Sequence, residues 1–400
     1  MTPERMPLEM SQQSRKEVLE KMKQRYARRP GREARGRLLD EVCELCGYER
    51  KHALKVLGGR VPIAGGKSRR GGPRRRYGEE EKAVLKAIWL AAEQPCGKRL
   101  KAAVPLWLPH YEKRQCKLEA AVRERLLKMS AATMDRMLKA VKIQLGSRGR
   151  CGTRPGTLLR TQIPVRTEHW DVEKPGYLEA DTVAHCGESM SGDFVWSVTL
   201  TDVHTQWTET RATWNKGQHS VRTRIAEVEK ALPFPILGFD SDNGGEFLNW
   251  HLHDYFRERE HPVGFTRSRP CRKNDNARVE QKNWTHVRQL VGYGRLGSPE
   301  QAEALNDLYA KEWGWFRNYF CPAMKHLRTE VEGSRKKRVY DQPKTPYERL
   351  KESGEVAPGK LQQLEKQFAE LDPFEVKRTI ERKLRKVLRT RAHEPQAAVA

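Results

Sequence analysis

Three carboxylates stand in settings whose chemistry can be read directly. Asp181 falls in the middle of Tyr177–Ala184 (YLEADTVA), an otherwise apolar run with strand character. Asp242 follows the short apolar strand Ile236–Phe239, inside Phe239-Asp240-Ser241-Asp242-Asn243-Gly244-Gly245-Glu246-Phe247. Glu280 lies in Asn274-Asp275-Asn276-Ala277-Arg278-Val279-Glu280-Gln281-Lys282-Asn283, where a long helical pattern begins. A lone carboxylate inside a strand is costly unless something positive pairs with it. Three carboxylates at one point repel unless cations lie between them, and all-oxygen ligand sets suit Mg²⁺ or Mn²⁺. Two such ions about 3.5–4 Å apart clamp the attacking and leaving oxygens of an in-line phosphoryl displacement.

The elements that must position these groups follow from the pattern around them. After Tyr177–Ala184 come Phe194–Asp202 and Trp207–Trp214, both rich in β-branched and aromatic residues. An amphipathic helix, His219–Leu232, places Val221, Ile225 and Val228 on one face. A strand at Ile236–Phe239, a helix at Leu248–Arg259, a strand at Val263–Thr266 and a long helix from about Asn276 complete a mixed α/β order. If the first and fourth strands are neighbours, Asp181 and Asp242 meet and the last helix crosses over them with Glu280.

Other residues near the three are weighed differently. Asp240 reads as structural; Glu246 reads as a solvated turn residue ahead of a supporting group behind the ligands, and His185 as an ordinary polar residue beside the site ahead of a further metal ligand. Asn243 and Asn276 are candidate positioning groups. Trp196, Trp207, Trp214, Trp313 and Trp315 read as core.

Charge indicates the partner. The 400 residues carry a formal net charge of +25, and such a surplus draws a protein to polyanions. Residues 1–150 hold 37 Lys and Arg against 17 Asp and Glu, whereas residues 151–325 hold 22 against 23. Residues 326–400 are again basic, with 18 against 12. A near-neutral body therefore sits between two basic arms. No apolar run approaches the roughly 20 residues of a spanning helix, which argues against a membrane partner. With no apolar leader at the N-terminus, the expected location is the cytoplasm. The eight cysteines form no disulfide framework. Cys43-x-x-Cys46 has no second ligand pair and reads as small thiols on a helix.

Residues 1–60 are expected to be helical and helix-turn-helix-like, with a break at Cys46-Gly47-Tyr48. Residues 61–78 read as a basic Gly-rich linker. Residues 79–145 form a second helical, helix-turn-helix-like segment, in which Ser130 caps a helix carrying Thr133 and Arg136, both candidate DNA contacts. Residues 146–168 are a second linker, 169–325 the catalytic body, and 326–400 a basic, mainly helical arm. Helix starts are marked at Thr345-Pro346 and Asp372-Pro373, and Val376, Ile380, Leu384 and Val387 share one face.

The ordered set Asp181, Ser241-Asp242-Asn243-Gly244 and Glu280, with 37 residues between the second and third, resembles the catalytic core of retroviral integrases and many bacterial insertion-sequence transposases. The resemblance covers about Tyr177 to Arg288. It implies a ribonuclease-H-like fold with a five-stranded mixed sheet, and two Mg²⁺ or Mn²⁺ ions held by Asp181, Asp242 and Glu280. It implies hydrolysis exposing a 3′-OH, then attack of that hydroxyl on target DNA. Its partners would be double-stranded DNA, both element ends and target, and further copies of the chain assembled on that DNA. The family's usual Lys one helical turn after the Glu is replaced by Trp284, leaving Lys282 and Arg288 as candidate DNA contacts. Two rival readings are an inert DNA-binding regulator derived from such an enzyme, and a structure-specific nuclease of the same fold.

Overall fold

In the computed structural model, which describes residues 11–28, 31–61, 77–144, 172–242, 244–267, 277–332 and 335–389, the chain divides into two units, Met1–Arg76 and Tyr77–Ala400. The first unit is a three-helix cluster of α1 (Gln12–Arg28), α2 (Arg32–Cys46) and α3 (Arg50–Leu57). Leu19, Met22, Leu38, Leu39, Val42, Ala53, Val56 and Leu57 fill its core. The turn between α2 and α3 depends on Gly47, whose φ of 65° lies in the left-handed region. Cys46 is buried in that core.

The second unit opens with α4 (Glu79–Ala91), α5 (Gly97–Arg114), α6 (Ala120–Lys128), α7 (Ala131–Met137) and α8 (Lys139–Gln144). The helix α5 is not apparent from the sequence, because Pro105 and Pro109 lie inside it and proline removes helix hydrogen bonds. Burial of Leu100, Val104, Trp107 and Leu108 compensates for that loss. Trp107 donates through Nε1 to the Phe320 carbonyl at 3.0 Å. These N-terminal helices therefore share one hydrophobic cluster with the sheet and the C-terminal helices.

Five strands form the central sheet: β1 (Tyr177–Ala184), β2 (Trp196–Asp202), β3 (Thr208–Thr213), β4 (Gly238–Ser241) and β5 (Gly264–Arg267). Their spatial order is β3-β2-β1-β4-β5. The first three are antiparallel neighbours, and β4 and β5 run parallel to β1. The helix α9 (Gln218–Ala231) connects β3 to β4, and α10 (Trp250–Arg257) connects β4 to β5. Every residue of β3 is buried, although β3 is an edge strand with unpaired backbone groups.

Two helical runs follow, the first packing on β1 and β2 and the second covering the β3 edge. They are α11 (Ala277–Lys282), continued by a π-helical segment Asn283–Arg288 and α12 (Gln289–Val291); then α13 (Pro299–Leu308), a second π-helical segment Tyr309–Trp313, and α14 (Gly314–Phe320). Asn306 on α13 accepts from the Ala212 amide at 2.5 Å and donates to its carbonyl at 2.7 Å. Asn318 on α14 does the same for Thr208, at 3.0 Å each way. Two side-chain amides thus take the place of a sixth strand, pairing the edge and closing it to other chains.

Beyond the core lies an antiparallel hairpin of β6 (His326–Glu332) and β7 (Arg335–Tyr340). The arm is expected to be mainly helical and shows no strand signature, because the hairpin buries no alternating apolar face. Leu327 and Val331 are 56% and 64% exposed. The helices α15 (Pro346–Ser353), α16 (Pro358–Glu370) and α17 (Pro373–Arg389) complete the chain. Thr345 forms a reciprocal cap with Glu348. Val376, Ile380 and Val387 of α17 are buried, and Arg114 of α5 pairs with Asp372 at 2.9 Å. Among the described residues no helix is long and apolar enough to cross a membrane.

Candidate active site

The parallel pairing of β1 with β4 sets Ala180 beside Ser241, so the next residue of each strand is an aspartate. Asp181 and Asp242 are therefore side by side where the two strands end their pairing. The consequence is electrostatic. Burial pushes the Asp181 carboxyl up to about 8, with Asp242, Glu280 and Glu246 adding to the shift. Asp242 is raised as well, first by burial and then by Glu246, against the opposing pull of Lys216. Asp181 accepts hydrogen bonds from the Thr182 amide and from Asn283 Nδ2, both at 2.7 Å. Asp242 accepts from the Gly244 amide at 2.9 Å.

Two side chains on one face of β1 dock the helix that carries Glu280. Glu179 is fully buried and accepts from Arg278 Nη1 at 2.8 Å and from the Val279 amide at 3.3 Å. Two residues along the strand, Asp181 holds Asn283. The helix is thus pinned on both sides of Glu280 to alternate residues of one strand. Glu280 itself is exposed at the helix surface, near enough for its charge to act on Asp181. Asn283 begins a π-helical segment, a local rewinding frequent at functional sites.

Glu246 corrects a sequence expectation. It is not a solvated turn residue but 4% exposed, paired with Lys216 at 2.6 Å and receiving the Thr182 hydroxyl at 2.9 Å. The loop after β4 folds back onto β1, which local turn chemistry does not reveal. Gly244 permits that fold: a Cβ there would lie 2.5 Å from Glu246 Oε2 and 2.8 Å from Asp242 Oδ1. Asp240 is buried and accepts from Thr266 of β5 at 2.6 Å. His185 is buried against Ser197, which meets the Tyr309 hydroxyl. Asn243 and Asn276 lie outside the described residues.

Glu179, Lys216 and Asn283 are the site residues the sequence reading did not single out. The only available signal was spacing: Glu179 shares the strand face of Asp181, and Asn283 falls one helical turn after Glu280. Among the described residues no three acidic, His or Cys side chains close around a single point. The oxygen donors nonetheless suit a hard cation. Asp181 and Asp242 crowd together at the strand ends, and the buried Asn283 Oδ1 beside them lacks a partner among the described residues.

The remaining candidates are dispersed. Arg136 is exposed on α7 and reaches Thr133 Oγ1 at 3.1 Å. Arg288 stacks on Tyr293 with 4.8 Å to the ring centroid. Lys282 is 5% exposed, and burial followed by repulsion from Arg317, Arg99 and Arg349 lowers it to about 7. It faces a pocket with Arg99, Arg317 and His286 and not solvent.

Comparison with known proteins adds three findings. A protein of Sinorhizobium fredii, y4rM, is 38% identical over 349 residues, which cover 85% of this chain and 96% of that protein. The HTLV-2 integrase catalytic core domain, solved in complex with magnesium, is 12% identical, covering 38% of this chain and 91% of its own at a TM-score of 0.28. The catalytic core domain of BIV integrase is 14% identical, covering 45% and 95%, with a TM-score of 0.30. No family model matches the chain.

Proposed function

This chain belongs to one family with the Sinorhizobium fredii protein y4rM, and we propose that it is a DNA transposase/integrase of the three-carboxylate (DDE) class. The observation that carries the reading is the meeting of Asp181 and Asp242 at the ends of parallel neighbouring strands, beside a helix pinned to β1 on both sides of Glu280, whose charge acts on Asp181. Asp181, Asp242 and Glu280 would hold two Mg²⁺ or Mn²⁺ ions, which supply Lewis-acid activation and charge neutralisation at a phosphodiester. Asn283 orients Asp181, and Glu179 holds the helix. Glu246, tied to Thr182 and Lys216, fixes the loop bearing Asp242.

The reaction is hydrolysis at the end of a mobile element, then strand transfer. In transfer, the exposed 3′-hydroxyl gives up its proton as its oxygen forms a bond to a target phosphorus, while the target's P–O3′ bond breaks and the departing O3′ takes up a proton to become a new 3′-hydroxyl. Double-stranded DNA is drawn by the basic charge of residues 1–150 and 326–400. The helix-turn-helix-like pairs α2–α3 and α6–α7 are its proposed readers, with Thr133 and Arg136 at the start of α7 and Arg288 beyond the site helix. Copies of the chain assemble on the DNA ends.

The test uses duplexes made from the ends of the DNA surrounding the gene, incubated with Mg²⁺ and a target plasmid. Strand transfer is expected from the natural chain and from none of Asp181→Asn, Asp242→Asn or Glu280→Gln, while all four bind the duplex. Full activity in any variant refutes the assignment. Cleavage without joining favours a nuclease instead.

A further inference from the structure

Behind the site helix, on the side away from Asp181, lies a cationic cavity that the catalytic reading does not use. It is lined by Arg99 of α5, Lys282 of α11, His286 of the π-helical segment, Arg317 of α14 and the turn Cys321-Pro322-Ala323. Three separate segments of the chain converge here, so the cluster is a product of the fold and not a run of basic sequence. The charges are not balanced. Of the four nearby cations, Arg349 is paired with Asp341 at 2.6 Å. Neither Lys282 nor Arg99 has an acidic partner among the described residues, and Arg99 Nε is buried with no hydrogen-bond acceptor. Among the described residues Arg317 reaches the imidazole of His286, at 3.4 Å, and the Trp313 ring. Lys282 is buried and Arg99 and Arg317 are half-buried; a buried cation without a counter-ion is costly, and an anion in the cavity would offset that cost.

We propose that this cavity binds a phosphate group. The space is about 20 Å³, room for roughly one water-sized centre, so one non-bridging oxygen enters while the phosphorus sits at the mouth. The guanidinium groups of Arg99 and Arg317, which come from two different helices lining the cavity, match the remaining oxygens as planar donors. A carboxylate carries less charge and fewer oxygens than three cations can share. The phosphate comes either from a DNA backbone passing this face or from free inorganic phosphate. The site helix forms one wall, so occupancy fixes Lys282 and His286 on the face opposite Glu280.

Binding needs no catalysis and is measured separately from it. The full-length chain is titrated with inorganic phosphate at constant ionic strength, with chloride as the control, following thermal unfolding. A rise of about 2 °C or more specific to phosphate is expected, also in Asp181→Asn. Arg317→Gln and Arg99→Gln are expected to lose it. Lys282→Met, which removes a buried cation, is expected to raise the melting temperature without phosphate and to abolish the increment. Equal responses to phosphate and chloride, or an undiminished response in all three variants, overturn the proposal. A duplex at saturation then separates the sources: loss of the phosphate response places a backbone phosphate in the cavity, and an additive response places free phosphate there.

Discussion

Asp181→Asn is expected to make the protein more stable while it removes the proposed activity. In metal-free solution the folded Asp181 carboxyl titrates at about 8, against about 3.9 in an unfolded chain. A carboxyl raised on folding binds more protons folded than unfolded between those values. Stability is therefore highest below about pH 4, falls as pH rises, and reaches its full penalty above about pH 8. At 1.36 kcal/mol per pKa unit the penalty is at most about 6 kcal/mol. Asparagine keeps a carbonyl acceptor for the Thr182 amide and sheds the charge. The assay is chemical denaturation with EDTA present, natural chain against variant, at pH 5 and pH 8.5. The variant should gain a few kcal/mol at pH 8.5 and much less at pH 5. Mg²⁺ should narrow the gap by stabilising the natural chain alone. A purely structural carboxylate gives the opposite sign, so an Asp181→Asn protein less stable than the natural chain at pH 8.5 refutes the reasoning.

Two further outcomes follow from the geometry. Asn306→Leu strips both backbone partners from Ala212 and should cost about 2–4 kcal/mol by denaturation; a change under about 0.5 kcal/mol means that the edge finds other partners. Gly244→Ala drives a methyl against Glu246 and Asp242. It should lower strand transfer about tenfold or more while far-UV circular dichroism stays unchanged, and intact activity shows that the loop relaxes without moving Asp242.

The sequence alone determined the strand and helix order around the site, because each element's burial periodicity is local. Strand β1 was legible to its ends, and the identities and order of Asp181, Asp242 and Glu280 stood in recognisable settings. It did not reveal α5, whose prolines argue against a helix until buried Trp107 and Leu108 are counted, nor a hairpin with no apolar face. The roles of Glu179, Glu246, Lys216 and Asn283, and the pairing of β3 by Asn306 and Asn318, depend on partners 30 to 110 residues away. The fate of Lys282 was also decided only by tertiary structure. A lysine two residues past Glu280 reads as a DNA contact on a helix face. The α5 and α14 residues laid over that face instead enclose it among arginines, because which side of a helix meets solvent is fixed by what the rest of the chain lays over it.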